Sequence, residues 1–156
     1  MLLLPWHTQA EAGPQLTDSF ASVELRLPAR PSELRRARDC VADAGAGFGL
    51  DRKACYELVF AVNEAVTNAI RHGSPAQDGT IGLRIDSDGD ALVCLVSDCG
   101  PFTTRDQDRD SSFEEGGRGF AFMSAMTDEL ELTVEPDRTI IELRKRRLIG
   151  AVLGHA

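Results

Sequence analysis

The stretch N-E-A-V-T-N-A-I-R-H-G, residues 63–73, decides how the rest of this chain is interpreted. It ends an apolar, helix-forming run that Asp51 is expected to cap and Gly73 to stop. Glu64 and Asn68 are four residues apart, or about 6 Å along a helix axis, so their side chains are neighbours. We therefore expect one long helix that carries a carboxylate and an amide together on one side.

The opposite side of this predicted helix is apolar. At about 100° per residue, one arc that can face a sheet contains Leu58, Val62, Ala65, Val66 and Ala69. The other side contains Glu57, Glu64, Asn68, Arg71 and His72. A solvated polar face explains this side too, although asparagine is a mediocre helix former. A carboxylate beside an amide oxygen can also orient a water, bind a hard cation such as Mg²⁺ or take a proton.

A second segment places a carboxylate at the end of an apolar strand. In V-S-D-C-G-P-F, residues 96–102, Asp98 ends the strand and Gly100 follows. At such a point a side chain can leave the sheet, and a ligand can approach the backbone closely because glycine has no side chain. An ordinary turn at the end of a strand explains the same residues, so this segment alone predicts no function.

A third segment is a glycine-rich entry to a short helix. In E-G-G-R-G-F, residues 115–120, the residues Gly117, Arg118 and Gly119 precede an apolar helical run. The free N–H groups and positive dipole end of a helix N-terminus suit a phosphate group, and a flexible hinge is the alternative interpretation. The polar stretch 100–117 is long for a loop in a compact domain, which is typical of functional or disordered segments.

Periodicity and turn residues predict three helices and five strands. The helices run from Ser32, as the N-cap, to about Ala44, over the long helix 51–72, and over Phe120–Met126. The strands are 22–27, 79–85, 92–97, 130–134 and 139–143, and G-A-G-F-G at 45–49 is expected to be a loop. Strands joined mostly as hairpins predict an α+β two-layer sandwich, in which about three helices cover one face of a mostly antiparallel sheet.

The composition describes one acidic domain. The chain has 156 residues, of which 42% are hydrophobic, and we expect a flexible leader at 1–18, a folded domain at 19–147 and a flexible tail at 148–156. A net charge of -8 gives no general attraction to nucleic acid, so proteins or small molecules are the expected partners.

The cysteines and the chain ends favour a cytoplasmic protein. Four cysteines without a C-x-x-C pair, and only three histidines, favour buried free thiols in a reducing cytosol over a zinc site. Neither end has the pattern of a signal peptide, and neither apolar end is long enough to span a bilayer. We therefore expect no membrane segment.

Taken together and in this order, the three segments resemble the Bergerat-fold ATPase superfamily, which includes histidine-kinase catalytic domains, gyrase and the heat-shock chaperones. Within it, the sequence is similar to the small anti-sigma-factor serine/threonine kinases. E-A-V-T-N-A-I-R-H-G resembles that family's first box, D-C-G-P-F its second, and G-G-R-G-F-A-F-M-S-A-M-T-D-E-L its third. The resemblance covers residues 22–146 and implies the Bergerat ATP-binding fold.

The resemblance implies a role for each residue at the phosphate side of a bound ATP. Asn68 would hold a Mg²⁺ ion that bridges the phosphates. Glu64 would be the general base that takes the proton from a substrate hydroxyl. Gly117, Arg118 and Gly119 would bind the phosphates through backbone N–H groups, with added charge from the arginine.

At the adenine side the resemblance implies a second group. Asp98 would accept a hydrogen bond from the adenine amino group, and Gly100 would let the base lie close to the backbone. Thr139 would contact the adenine, and the segment 100–117 would be the ATP lid. Arg138 stands where the family has a glycine, so we expect it to crowd the adenine.

The function implied by the resemblance is partner switching. An ATP-binding anti-sigma factor would sequester a sigma factor and, with ATP and Mg²⁺, phosphorylate a serine or threonine of an anti-anti-sigma antagonist protein. Such kinases are often dimeric, so a homodimer is expected. The alternative is a non-catalytic module that binds ATP or no nucleotide and holds a regulator by surface contacts. A two-component histidine kinase is disfavoured, because the chain has no room for a dimerisation helix pair with a phospho-accepting histidine.

Overall fold

The computed structural model describes residues 20–73, 79–98 and 119–148. Within these ranges, five strands form one antiparallel sheet in the order β1-β2-β3-β5-β4. The strands are β1 (Val23–Pro28), β2 (Thr80–Asp88), β3 (Ala91–Asp98), β4 (Glu129–Glu135) and β5 (Arg138–Arg146). The helices are α1 (Leu34–Phe48), α2 (Arg52–Asn68) and α3 (119–126).

One face of the sheet carries the hydrophobic core. Side chains alternate between the two faces of a strand, and the positions that face the helices are buried: Leu27, Ile81, Leu83, Ile85, Leu92, Cys94, Val96 and Leu143. They form one cluster with the apolar sides of α1 and α2 and with Met123 of α3. The predicted α+β class, with helices packed on one face of an antiparallel sheet, is confirmed.

The other face of the sheet carries charged side chains on β1, β2 and β5, whereas the central strand β3 presents Ala91, Val93 and Leu95 to it. Glu24 and Arg84 lie opposite each other across β1 and β2. On β5, Arg144 donates hydrogen bonds to Asp88 at 2.7 Å and to Glu142 at 2.9 Å. These two hydrogen bonds raise the pKa of the Arg144 guanidinium. Charged residues at every second position are typical of a sheet that faces water on one side.

The start of α1 differs from the prediction. Pro31–Glu33 forms a 3₁₀ turn, and α1 begins at Leu34 without a side-chain cap. The predicted N-cap role of Ser32 is therefore wrong. Proline at the first position of the turn sets the backbone angle φ there, because its ring fixes φ near the helical value.

The predicted loop at 45–49 is also wrong, because α1 continues to Phe48. Phe48 is buried, and Gly45 lies so close to Cys55 of α2 that a Cβ atom would stand 2.8 Å from the sulfur atom. The glycines that favour a loop in the sequence thus allow two helices to approach each other. Gly49 ends the helix with a φ of 99°, in the left-handed region that favours glycine.

α2 follows the prediction closely. The carboxylate of Asp51 accepts a hydrogen bond from the backbone N–H of Ala54 at 2.7 Å, which confirms the cap. The whole predicted apolar arc is buried. The regular helix ends at Asn68, and the wider π-helical turn Ala69–Gly73 follows it. Such turns occur frequently at functional sites.

The strands are confirmed but extend beyond their predicted ends. β2 and β3 form the expected hairpin, and Gly89 in its turn has a φ of 64°. The ladder continues outward to the pair Asp88 and Ala91, because backbone hydrogen bonds hold polar residues as well as apolar ones. β4 and β5 likewise pair from Glu135 and Arg138 onward.

The predicted leader at 1–18 lies outside the described residues, and so does most of the tail at 148–156. These domain limits stay predictions. In the parts of the chain that the structure describes, no helix has the length and apolar character needed to cross a membrane.

Candidate active site

Glu64 and Asn68 lie on the last turns of α2, where both residues are half-buried. Here α2 is tied to α1 by a hydrogen bond from Nη1 of Arg38 to Oδ1 of Asn63, at 3.0 Å. The hydroxyl of Thr67 donates to the carbonyl oxygen of Asn63 at 2.7 Å. The carboxylate and the amide are therefore presented by a fixed helix, and functional groups on helices are held more precisely than groups on loops.

Gly119, the first described residue of α3, lies against these two side chains. A Cβ atom at this position would stand 3.3 Å from Oε2 of Glu64 and 3.7 Å from Nδ2 of Asn68. The missing side chain thus lets the N-terminus of α3 approach the end of α2. The structure brings together three predicted site residues from two segments that are about 50 residues apart in the sequence.

Packing holds α3 in this place. Met123 is fully buried in the core. The ring of Phe122 meets the ring of Phe60 on α2 edge to face, with the centroids 6.0 Å apart. The hydroxyl of Thr127 donates to the carbonyl oxygen of Met123 at 2.7 Å, which satisfies one of the free carbonyls at the C-terminus of the helix.

Asp98 and Thr139 form a second group at the end of the sheet. They are directly opposite each other in the ladder of β3 and β5. Oδ1 of Asp98 accepts a hydrogen bond from the backbone N–H of Thr139 at 3.2 Å. Both residues are buried, with 7% and 4% of their surface exposed. The hydroxyl oxygen of Thr139 is buried and has no hydrogen-bond partner among the residues that the structure describes.

The expectation that Arg138 crowds the adenine is not supported. Successive residues of a strand point to opposite faces, so Arg138 points to the face away from Thr139. Its Nε atom donates to Oε2 of Glu135 at 2.7 Å, across the turn between β4 and β5. The larger side chain is thereby directed to the outer face of the sheet.

The group at Glu64 and Asn68 and the group at Asp98 and Thr139 are linked by packing. The turn Ala69–Gly73, which continues α2 after Asn68, contacts β3, the strand that ends with Asp98. The end of α2 therefore packs on the strand that carries the second group.

The residues present fit a magnesium-bound nucleotide. The amide oxygen of Asn68 is a hard oxygen ligand of the kind that Mg²⁺ prefers, and the carboxylate of Glu64 beside it can take a proton. The close approach at Gly119 places the described start of α3 beside these two side chains, and N–H groups at a helix N-terminus suit a phosphate. The unpartnered hydroxyl of Thr139 is a polar atom that a purine nitrogen would satisfy.

Three of the predicted site residues, Gly100, Gly117 and Arg118, lie outside the described residues. The same is true of the predicted lid at 100–117, so their roles stay predictions. His72 and Gly73 are described in their backbone only.

The sequence interpretation missed one buried charge. Lys145 is 8% exposed, and its Nζ atom lies 3.5 Å from Oε2 of Glu57 on α2. The alternation of side chains along β5 could have predicted this burial. Thr139, Ile141 and Leu143 face the core, and Lys145 is the next residue that points to the same face. Glu57 is accordingly packed against the sheet, with 18% of its side chain exposed, rather than on a solvated face.

Comparison with known proteins agrees with this architecture. The sequence matches the profile of the family described as the histidine kinase-like ATPase domain over residues 27–145. The chain is 27% identical over 144 residues to the serine-protein kinase RsbW of Bacillus pumilus, a match that covers 80% of this chain and 86% of the relative. It is 29% identical over 136 residues to the anti-sigma F factor of a Thermoanaerobacter species, covering 79% and 92%.

A solved structure shows the same fold. The crystal structure of the RsbU and RsbW domains of a Mycobacterium tuberculosis protein matches with a TM-score of 0.63 and 24% identity. The match covers 80% of this chain and 32% of that longer chain. Since the profile spans most of the folded part, the chain belongs to the histidine kinase-like ATPase domain family, and its resemblance to the anti-sigma-factor kinases within that family is confirmed.

Proposed function

We propose that this protein binds ATP and Mg²⁺, sequesters a sigma factor, and phosphorylates a serine or threonine of an anti-anti-sigma antagonist protein. The relatives named serine-protein kinase RsbW and anti-sigma F factor support both halves of this function. A phosphorylated antagonist would no longer compete for the protein, and the sigma factor would stay bound.

The observation that carries the proposal is the meeting of Glu64, Asn68 and Gly119. A carboxylate, an amide and the described start of α3 lie within one small region. Phosphoryl transfer needs positioning and charge stabilisation more than covalent chemistry. Each of these three residues supplies one of the required parts.

In this mechanism Glu64 is the general base. The hydroxyl of the antagonist would approach the end of α2, and the carboxylate of Glu64 would take its proton as the oxygen bonds to the terminal phosphorus of ATP. The bond from that phosphorus to the bridging oxygen would break, and ADP would leave. Glu64 is half-buried on α2, so its carboxylate remains reachable by a substrate hydroxyl.

The phosphates are held from the other side. Asn68 would hold the Mg²⁺ ion, which when bound neutralises charge on the phosphate oxygens. Gly119 leaves the first turn of α3 close enough for its N–H groups to donate to a phosphate.

The adenine base would be recognised at the end of the sheet, by Asp98 and Thr139. In the proposal the carboxylate of Asp98 accepts a hydrogen bond from the adenine amino group while keeping its bond from the N–H of Thr139. An ionised carboxylate has about four acceptor positions, so one oxygen atom can serve both purposes. A guanine would present a carbonyl oxygen at that point, which a carboxylate repels, so ATP is preferred to GTP.

The decisive test is transfer of the terminal phosphate. The purified protein is incubated with Mg²⁺, ATP labelled in its terminal phosphate, and antagonist proteins of the same organism. We expect one phosphoserine or phosphothreonine per antagonist by mass spectrometry. We also expect the complex of the protein with the sigma factor to persist when the phosphorylated antagonist is added and to dissociate when the unphosphorylated antagonist is added. ATP binding without any transfer would favour the non-catalytic binding module instead.

The remaining expectations belong to the same proposal. A partner-switching regulator acts on the transcription apparatus, so a cytoplasmic location and no direct contact with nucleic acid are expected. A homodimer is also proposed, and sedimentation of the full chain would measure it.

A further inference from the structure

We infer that Lys145 is a positioning residue that fixes α3 on α2 and thereby sets the phosphate-binding geometry at Gly119. The inference rests on the proposed function, since it assigns a role toward the phosphates of a bound nucleotide. Lys145 lies at the other end of α3 and touches none of the predicted ligand-binding residues that the structure describes.

The first step is the environment of Lys145 itself. It lies on the core face of β5, and 10% of its side chain is exposed. Its Nζ atom donates a hydrogen bond to the carbonyl oxygen of Met126 at 2.9 Å. The same atom lies 3.5 Å from Oε2 of Glu57. A buried ammonium group with two oxygen partners is held in one place, because losing either partner leaves a desolvated charge.

The second step is what this contact does for α3. Met126 is the last residue of the helix, so its carbonyl has no partner within the helix. A positive charge at this position also interacts favourably with the negative end of the helix dipole. Lys145 thus binds the C-terminus of α3 and joins it, through Glu57, to α2.

The third step is the register between the two helices. At one end Met126 and Glu57 meet through Lys145. In the middle the rings of Phe122 and Phe60 pack edge to face, and at the other end Gly119 meets Glu64. The two helices are therefore antiparallel along this contact. Glu57 and Glu64 are seven positions apart on α2, and Gly119 and Met126 are seven positions apart on α3. Each spacing corresponds to about 10 Å along the helix axis.

The fourth step is the stability of a helix this short. The described part of α3 has eight residues, and helices shorter than about 12 residues are marginal without tertiary contacts. Its N-terminus is therefore placed by its packed neighbours rather than by its own stiffness. Releasing the C-terminal end allows α3 to shift along α2 and moves Gly119 relative to Glu64 and Asn68.

The test compares the binding of two nucleotides, ATP and ADP, and of the nucleoside adenosine to the wild type and to Lys145→Met. Methionine keeps the length of the side chain but removes the charge and the donor. We expect binding of ATP and ADP with Mg²⁺ to weaken about five- to tenfold, while binding of adenosine changes less than about twofold. Adenosine has no phosphates and in the proposal would contact only the Asp98 and Thr139 end, so its binding reports whether that end of the site is intact.

Lys53 provides a matched control. It is a lysine of α2 whose side chain is 87% exposed, and it approaches Glu57 at 3.8 Å from the solvent side. Lys53→Met removes one charge near the same carboxylate without touching α3. All three ligands should bind this variant as they bind the wild type.

A second variant keeps the test valid if Lys145→Met does not fold. Glu57→Gln keeps the size of the side chain and leaves the bond from Lys145 to Met126 in place. We expect the same selective loss of ATP and ADP binding, about two- to threefold. Folding of each variant is checked by circular dichroism before the titrations.

The outcomes separate this inference from the proposed function. If the wild type binds no ATP, the proposed function fails and so does the inference. If the wild type binds ATP and folded Lys145→Met binds all three ligands equally well, only the inference is overturned. Equal weakening of adenosine and ATP would also overturn it, since that pattern indicates general destabilisation.

Discussion

Gly119 and Glu64 are in such close contact that a Cβ atom on Gly119 would stand 3.3 Å from Oε2 of Glu64. The two residues come from different predicted motifs, and the fold places the start of one helix on the end of another. A glycine at this point lets backbone N–H groups lie beside a carboxylate and an amide. This contact is the structural basis of the proposed phosphate site.

Gly119→Ala should therefore reduce phosphoryl transfer without unfolding the protein. The added methyl group pushes Glu64 or α3 aside by a few tenths of an ångström, and we expect about tenfold slower transfer. The control is Gly47→Ala in α1, where a Cβ atom would meet nothing within 4 Å. That variant should raise the free energy of unfolding by about 0.5–1 kcal/mol and leave transfer unchanged. Equal transfer rates in both variants would contradict the role given to Gly119.

Glu64→Gln should abolish transfer while keeping the nucleotide bound. Glutamine has nearly the same shape but cannot take a proton, so we expect a loss of at least about 100-fold in the transfer rate. ATP affinity, measured by titration calorimetry, should change less than about threefold. Glu131→Gln, at an exposed position of β4, serves as the control. A Glu64→Gln protein with normal transfer would show that another group acts as the base.

Thr139→Val tests the adenine end of the site. The hydroxyl of Thr139 is buried without a partner, and an unsatisfied buried polar group costs about 1–3 kcal/mol. Valine has the same shape, so the ligand-free protein should be equally stable or more stable by about 1 kcal/mol. ATP binding should nevertheless weaken about fivefold, because the ligand loses a hydrogen bond. Thr133→Val, at an exposed position of β4, is the control. A Thr139→Val protein with a lower free energy of unfolding and unchanged ATP affinity would contradict this assignment.

The described cysteines should differ in their reactivity. Burial raises the pKa of the Cys94 thiol far above its usual range, with nearby Cys40 as a smaller cause. Burial also raises the pKa of Cys55. Since the thiolate is the reactive form, a raised pKa leaves less of it at pH about 8. Mass spectrometry after iodoacetamide treatment should find Cys94 modified only in unfolded protein, and labelling of native protein at Cys94 as fast as at Cys40 would contradict this.

Much of the fold could be predicted because local patterns and burial agree. The apolar arc of α2, the cap at Asp51 and the alternation of the strands follow from periodicity and turn chemistry. The extension of α1 through 45–49 could not be predicted in the same way. Its glycines favour a loop locally, and only the packing of Gly45 against Cys55 shows why a helix forms there.

The sequence allowed the residues of the candidate site to be named, but it did not predict how they are arranged in space. Sequence spacing places Glu64 beside Asn68, since both are on one helix. The contact with Gly119 depends on how two distant helices pack, which no local pattern contains. The outward direction of Arg138 follows from the register of β5, and the burial of Lys145 depends on α3 lying above it.

The measurement that tests the central claim most directly is calorimetric titration with ATP, with and without Mg²⁺, of the wild type and Asn68→Ala. We predict binding by the wild type that is stronger with Mg²⁺, and loss of that dependence in Asn68→Ala. Asp43→Ala, on the exposed side of α1, should behave as the wild type. No heat at millimolar ATP, or magnesium-dependent binding that persists in Asn68→Ala, would contradict the proposed site.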